Sequence, residues 1–268
     1  MNICFIGGGN MATALIGGLL GEGFNAQQIS VVEINADNRT RLHRDFAVRA
    51  VENIAEGVAG SDIIVFAVKP QQLCEVAKQL APLLNGQLLI SIAAGIRAVD
   101  LARWSGSQAV VRAMPNTPAL IRSGMTGLYA LPEVSAAQRE QAQHILAAVG
   151  EILWLQDEAM LDAVTAISGS GPAYVFYFIE ALQQAACKLG LNADEARRLS
   201  LATFLGASKL AAGSDEDASV LRMRVTSKNG TTERALLSMD ANRVAEHIAQ
   251  AAQAAADRAC EMGDELGK

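Results

Sequence analysis

Two short stretches of this chain combine residue types and spacings that could do chemistry. The first is Ile6–Gly7–Gly8–Gly9–Asn10–Met11–Ala12, in which Gly7, Gly9 and Ala12 meet the spacing G-x-G-x-x-G/A. Glycines at those places allow a tight turn and a close approach of the backbone to a ligand. The amides at the start of a following helix then attract a pyrophosphate. The context fits: an apolar run ending at Ile6 reads as a strand, Asn10 reads as a helix N-cap, and residues 11–20 read as an apolar helix. The pattern in this setting predicts a dinucleotide cradle rather than a bare structural turn. The second stretch is polar, Val225–Thr226–Ser227–Lys228–Asn229–Gly230–Thr231–Thr232–Glu233. Gly230 permits a turn, and Thr231 or Thr232 is placed to cap the next helix. Amides exposed there suit a carboxylate, and a Thr hydroxyl can hydrogen-bond a reacting heteroatom. On spacing alone, an ordinary corner between two helices is the better reading of this second stretch.

The elements that must position the first stretch follow it in order. Residues 29–34 read as a second strand, ending near Glu33, where dinucleotide folds place the residue that reads the ribose. A carboxylate there suits a free 2′-hydroxyl, hence NAD, whereas Arg39 and Arg41 just beyond could take a 2′-phosphate, hence NADP. Both arginines also read as a solvated helix face. Residues 62–68, 87–93 and 108–114 are continuous apolar runs, as expected of parallel strands covered on both faces. Pro70 is placed to open a helix, and Pro115 and Pro118 exclude helix or central strand between them. Val68–Pro70, Ala93–Ala94 and Met114–Pro118 are therefore expected along the strand-end rim beside the glycine turn. Residues 124–131 and 150–155 read as further short strands around a helix at 135–149.

From about Gln156 helical periodicity replaces strand signals, with candidate helices at 157–189, 193–212, 215–225, 232–239 and 241–266. The fold class is thus α/β, an N-terminal Rossmann-type domain (1–156) followed by an all-α domain (157–268). Residues 163–179 lack charge, but Ser168–Gly169–Ser170–Gly171–Pro172 interrupts them, so they read as a buried core helix with a break and not as a membrane span. So apolar a helical domain predicts homo-oligomerisation.

Composition removes other classes. The chain has 268 residues, 51% of them hydrophobic, and a net charge of −6 with Lys and Arg scattered. That argues against disorder, a nucleic-acid surface or a polybasic membrane surface. Cys4, Cys74, Cys187 and Cys260 are far apart in sequence, which predicts free thiols in a reducing cytoplasm; no secretory leader is read. His43, His144 and His247 fall in predicted surface helices, which argues against a metal site or a Ser–His pair. Ser168–Gly171 is not G-x-S-x-G, and no P-loop occurs.

Taken together, Ile6–Met11, Lys69–Pro70, residues 91–95, Arg112-Ala-Met-Pro-Asn-Thr-Pro118, residues 169–174 and residues 225–232 occur in the order found in Δ1-pyrroline-5-carboxylate reductase, which nearly the whole chain resembles. The resemblance implies reduction of a cyclic imine carboxylate to L-proline with NADP(H), NAD(H) being the alternative, by an intertwined homodimer that can assemble into rings. It implies that Ile6, Gly7, Gly8, Gly9, Asn10 and Met11 hold the pyrophosphate and that Asn35 meets the adenosine ribose or its 2′-phosphate. Asn53, Ala67, Val68, Lys69 and Pro70 would contact the cofactor, with Ala93 and Ala94 flanking the nicotinamide. Gly230, Thr231 and Thr232 would form the substrate turn, with the Thr232 hydroxyl on the imine nitrogen and Ser227, in the same turn, as the second catalytic candidate. The chain departs from the family at Lys228–Asn229, where Ser-Pro-Gly-Gly is common, and near residues 217–219, where His-Pro-Gly is usual. Losing the proline removes stiffness, while Asn tolerates a left-handed conformation. Two rival readings are a β-hydroxyacid dehydrogenase and a cofactor sensor without turnover. The first uses a lysine on the connecting helix, and residues 157–187 contain none. The second needs no substrate wall.

Overall fold

A computed structural model describes all residues, Met1–Lys268. The chain divides into two compact units, Met1–Ser170 together with Ala254–Lys268, and Gly171–Gln253. In the first, strands β1 (Ile3–Ile6), β2 (Ile29–Val32), β3 (Arg49–Val51), β4 (Ile63–Phe66), β5 (Leu88–Ser91), β6 (Val110–Met114), β7 (Gly124–Ala130) and β8 (Gly150–Trp154) form one sheet in the order β3-β2-β1-β4-β5-β6-β7-β8. Helices α1 (Asn10–Gly21), α2 (Ala36–Phe46), α3 (Ile54–Val58), α4 (Pro70–Leu80), α5 (Ala98–Ser105) and α6 (Ala136–Ala147) lie between strands, and α7 (Met160–Val164) follows β8. Strands β3 to β6 of this order run parallel, β7 reverses against β6, and β8 is parallel to β7.

Every residue of β1, β4 and β5 is buried, which is why those segments read as unbroken apolar runs rather than as alternation. Burial in β1 pushes the Cys4 thiol up to about 11, because the thiolate would lose its water. Pro70 occupies the first turn of α4, where its missing N–H costs no bond. Ser135 and Gln138 form a capping box at α6.

Several expectations need correction. β2 stops at Val32, because its last ladder bond is that of the Glu33 amide to the Val51 carbonyl at 2.9 Å, where the partner strand β3 also ends. Asn10 is the first helical residue, and extended Gly9 is the N-cap, without a side-chain bond. The short edge strand β3 escapes a periodicity reading, since Arg49–Val51 is too brief to show alternation.

Beyond the last strand, α7 continues into a π-helical turn at Thr165–Gly169, so the expected break exists. Arg112, buried in the middle of β6, donates to Glu158 at 3.0 Å and pairs with Asp162 at 3.7 Å. Glu158 also accepts the Ala98 amide at 2.7 Å, tying α5, β6 and the start of α7 together.

The second unit holds α8 (Gly171–Lys188), α9 (Ala193–Ala212), α10 (Ala218–Arg224), α11 (Thr231–Ala241) and the start of α12 (Val244–Leu266). α8 packs on α9, whose start is fixed by a capping box between Asn192 and Glu195. The expected burial of the helix over residues 163–179 does not hold beyond the break. α8 has no buried residue, and Phe176 and Tyr177 are 67% and 70% exposed. Their apolar character serves a face that a single chain leaves open. The end of α12 belongs to the first unit, where Arg97 pairs with Asp264. No helix is long and apolar enough to cross a membrane.

Candidate functional site

The strand order places the C-terminal ends of β1, β2, β4 and β5 side by side on one edge, and a cleft of about 660 Å³ opens there. Its lining includes Ile6, Gly7, Gly8, Gly9, Glu33, Asn53, Ala67, Val68 and Lys69, so residues distant in sequence meet. Backbone geometry explains the glycines. Gly7 has φ +102°, and a Cβ there would stand 2.7 Å from the Ala67 carbonyl oxygen. Gly7 therefore lets the turn lie directly against the end of β4. At Gly9, by contrast, a Cβ would meet nothing within 4 Å. That open space lies over the start of α1, where first-turn amides have no intrahelical acceptor and no side chain caps them. Amides aimed into a cleft, with room for an oxyanion beside them, fit a dinucleotide pyrophosphate.

Asn53 lines the cleft and is also the N-cap of α3, its Oδ1 accepting the Glu56 amide at 3.2 Å. Asn35 caps α2 in the same way, accepting the Asn38 amide at 3.0 Å. Lys69 is the exposed N-cap position of α4, immediately before Pro70. Asn10 and Met11 open α1, with Asn10 exposed and Met11 half-buried.

The next loop on the rim follows β5. The Ile92 amide donates to the Phe66 carbonyl at 3.2 Å, which ties the start of this loop to the end of β4. The Ala93 amide donates to Ser91 Oγ at 3.3 Å. Gly95 ends this loop at φ +72°, packed under Met262. Beyond β6, Asn116 anchors the proline loop, donating to the Ser168 carbonyl and accepting the Met125 amide. Ala93, Ala94, Asn35, Asn10, Met11 and Pro70 are not among the cleft's lining residues. Gln72, Glu75, Val76 and Gln79 do line it and carry no motif. Their i, i+3, i+4 and i+7 spacing after Pro70 marks one face of α4, the one signal by which sequence could have found them.

In the second unit, the polar turn joins α10 to α11. Asn229 has φ +60°, the left-handed conformation that Asn tolerates, and its amide donates to Glu233 Oε2 at 2.7 Å. The Gly230 amide donates to the Ser227 carbonyl at 2.9 Å. The N-cap of α11 is extended Gly230, with no side-chain bond, so neither Thr231 nor Thr232 is spent as a cap, contrary to the expectation from spacing. A concavity here is lined by Asn229, Gly230, Thr231, Glu233, Arg234 and Leu237. Ser227 is exposed and Thr232 half-buried.

Comparison with known proteins gives a consistent result. Residues 158–262 match the family model of pyrroline-5-carboxylate reductase dimerisation, and residues 2–95 match that of NADP oxidoreductase, coenzyme F420-dependent. A pyrroline-5-carboxylate reductase of Pseudomonas aeruginosa is 50% identical, over 99% of this chain and 98% of that protein. One of Haemophilus influenzae is 43% identical, over 97% of each. Among solved structures, a pyrroline-5-carboxylate reductase from Coxiella burnetii aligns with a TM-score of 0.93 at 38% identity, covering 97% of this chain and 98% of that one. The Plasmodium falciparum enzyme, solved with NADP bound, aligns with a TM-score of 0.87 at 29% identity, covering 98% of each.

Proposed function

The chain belongs to the pyrroline-5-carboxylate reductase family, and from that premise we propose how its residues reduce L-1-pyrroline-5-carboxylate to L-proline with NAD(P)H, the last step of proline synthesis. One observation carries the reading. Both candidate anion sites are helix starts whose N-cap is an extended glycine without a side-chain bond, Gly9 for α1 and Gly230 for α11. A Ser, Thr, Asn or Asp cap would occupy the amides that an anion needs. Glycine at both leaves them open to a phosphate in one case and a carboxylate in the other.

On this reading Ile6 to Met11 hold the pyrophosphate, with Asn35 and Asn53 at the adenosine end. Ala67, Val68, Lys69 and Pro70 follow the dinucleotide along the rim, and Ala93 and Ala94 flank the nicotinamide. When bound, the reduced nicotinamide supplies the hydride. In the turn made with Gly230, the open Thr231 and Thr232 amides hold the substrate carboxylate, fixing which face of the imine is presented. The Thr232 hydroxyl would hydrogen-bond the ring nitrogen, which takes up one proton, drawn ultimately from solvent, when the adjacent carbon is reduced to give the amine. Such a placed donor contributes on the order of 10²-fold in rate. Ser227 shapes the turn through its carbonyl bond to Gly230.

The α8 face with exposed Phe176 and Tyr177 fits a dimerisation surface, and the working enzyme is a homo-oligomer. We propose a homodimer as its unit, able to assemble into rings. The test of the substrate site is hydrogen exchange with NADP⁺ and L-proline present together. Protection of the amides of residues 230–233, over that given by NADP⁺ alone, is expected. Protection confined to other segments would remove the turn from the substrate site.

A further inference from the structure

The adenosine end of the cleft carries an arrangement that motif reading leaves undecided. Glu33, Ile34, Glu52 and Asn53 line it, two carboxylates among four residues. The Glu33 carboxylate is held at both oxygens by main-chain donors: Oε2 accepts the Gly8 amide at 3.0 Å and Oε1 accepts the Asn35 amide at 2.9 Å. A Cβ on Gly8 would stand 3.0 Å from Oε2, so the glycine turn and this side chain are in direct contact. The group is therefore fixed in place, and each oxygen keeps a lone pair for a further donor.

Of the two arginines that could answer a phosphate, Arg39 is engaged elsewhere. Arg39 Nη1 donates to the Glu33 and Ile34 carbonyls at 2.8 and 2.9 Å. Its Nη2 pairs with Glu52 at 3.1 Å. The Arg39 guanidinium thus braces the chain behind Glu33 and has its charge matched by Glu52. Arg41 donates to the Gly8 carbonyl at 3.4 Å.

We infer that Glu33 is the residue that sets dinucleotide selectivity in this cleft, accepting a ribose 2′-hydroxyl and repelling a 2′-phosphate, with Glu52 holding Arg39 back from that phosphate. The inference rests on the cleft being the cofactor site. It concerns the ratio of affinities and not which cofactor the enzyme can turn over. A hydroxyl can donate to a carboxylate, whereas a phosphate brings like charge to it, and the Arg39 guanidinium beside Glu33 is already matched by Glu52.

The test is direct binding to the full-length enzyme, with Kd measured by calorimetric titration for NADP⁺ and for NAD⁺. Glu33→Gln keeps the side-chain shape and removes the charge. The ratio of affinities, NADP⁺ over NAD⁺, is expected to rise about tenfold, the scale of removing one like charge in a partly solvated site, and the rise should shrink as salt is added. An unchanged ratio overturns the inference. Because Glu33→Gln also touches the glycine turn, a second variant guards the result. Glu52→Gln alters a side chain that is 69% exposed and releases Arg39. It is expected to tighten NADP⁺ severalfold and to change NAD⁺ less. Should Glu33→Gln fail to fold, Glu52→Gln decides, and equal affinities in it and the wild type overturn the inference. A wild-type enzyme that binds neither dinucleotide would instead refute the assignment of the cleft itself.

Discussion

The sharpest prediction concerns Gly9, because the structure separates its effect on folding from its effect on binding. An alanine Cβ at this position meets no atom within 4 Å, and Gly9 sits at φ −72° and ψ −174°, which any residue adopts. The variant Gly9→Ala should therefore fold. Its one structural cost is a poorer N-cap, a few tenths of a kcal/mol to about 1 kcal/mol, which for a chain of this size moves Tm by roughly 1–4 °C. The added methyl occupies the space over the first turn of α1, where the pyrophosphate must approach the amides. Losing or lengthening two charge-assisted amide bonds costs about 3 kcal/mol in all, on the order of a hundredfold in Kd. Gly7→Ala is the informative contrast. There φ is +102° and a Cβ would stand 2.7 Å from the Ala67 carbonyl oxygen, so stability should fall with affinity. Thermal unfolding of the free protein and titration with NADP⁺ measure both quantities. If Gly9→Ala binds NADP⁺ as tightly as the wild type, the start of α1 is not the pyrophosphate site.

Other expectations follow from single features. Glu233→Ala removes the acceptor of the Asn229 amide and so loosens a turn that has lysine where the family has proline; KM for pyrroline-5-carboxylate should rise severalfold with NADP⁺ affinity unchanged, and adding Lys228→Pro should restore it. Arg112→Met leaves Glu158 and Asp162 without their buried cation and should cost about 3 kcal/mol, lowering Tm by roughly 6–12 °C in a thermal melt. The Cys4 thiol, raised by burial from 9.0 to about 11, favours the folded state fully below pH 9, and that contribution of about 2–3 kcal/mol is lost as pH rises from 9 to 11. Denaturant titrations across that range should show the loss in the wild type and a flatter profile in Cys4→Ala.

How much was legible in the sequence differs by element. The buried strands β1, β4 and β5 announce themselves because both of their faces are covered, which leaves unbroken apolar runs. The end of β2 did not, because its last ladder bond, from the Glu33 amide to Val51, depends on an edge strand that itself leaves no pattern. The helix caps divide in the same way. Asn192 and Glu195 are visible as a capping box, but Gly9 and Gly230 displace the polar neighbours Asn10 and Thr231 from the cap, a choice made by backbone geometry and not by side-chain preference. The exposed face of α8 reads as core, since sequence cannot distinguish the interior of a subunit from the interior of an assembly. The commitment of Arg39 to carbonyls and to Glu52 is likewise invisible until the chain is folded, because its partners lie on two different loops.

The central claim is that the Thr232 hydroxyl acts on the imine nitrogen while the dinucleotide is held elsewhere, by the α1 cleft. Its most direct test is NADPH consumption with pyrroline-5-carboxylate by the wild type and by Thr232→Ala, with L-proline formed and NADP⁺ affinity measured alongside. The expected result is one NADPH used per proline made, a kcat lowered on the order of 10²-fold in the variant, and an unchanged Kd for NADP⁺. Full turnover by Thr232→Ala would contradict the account.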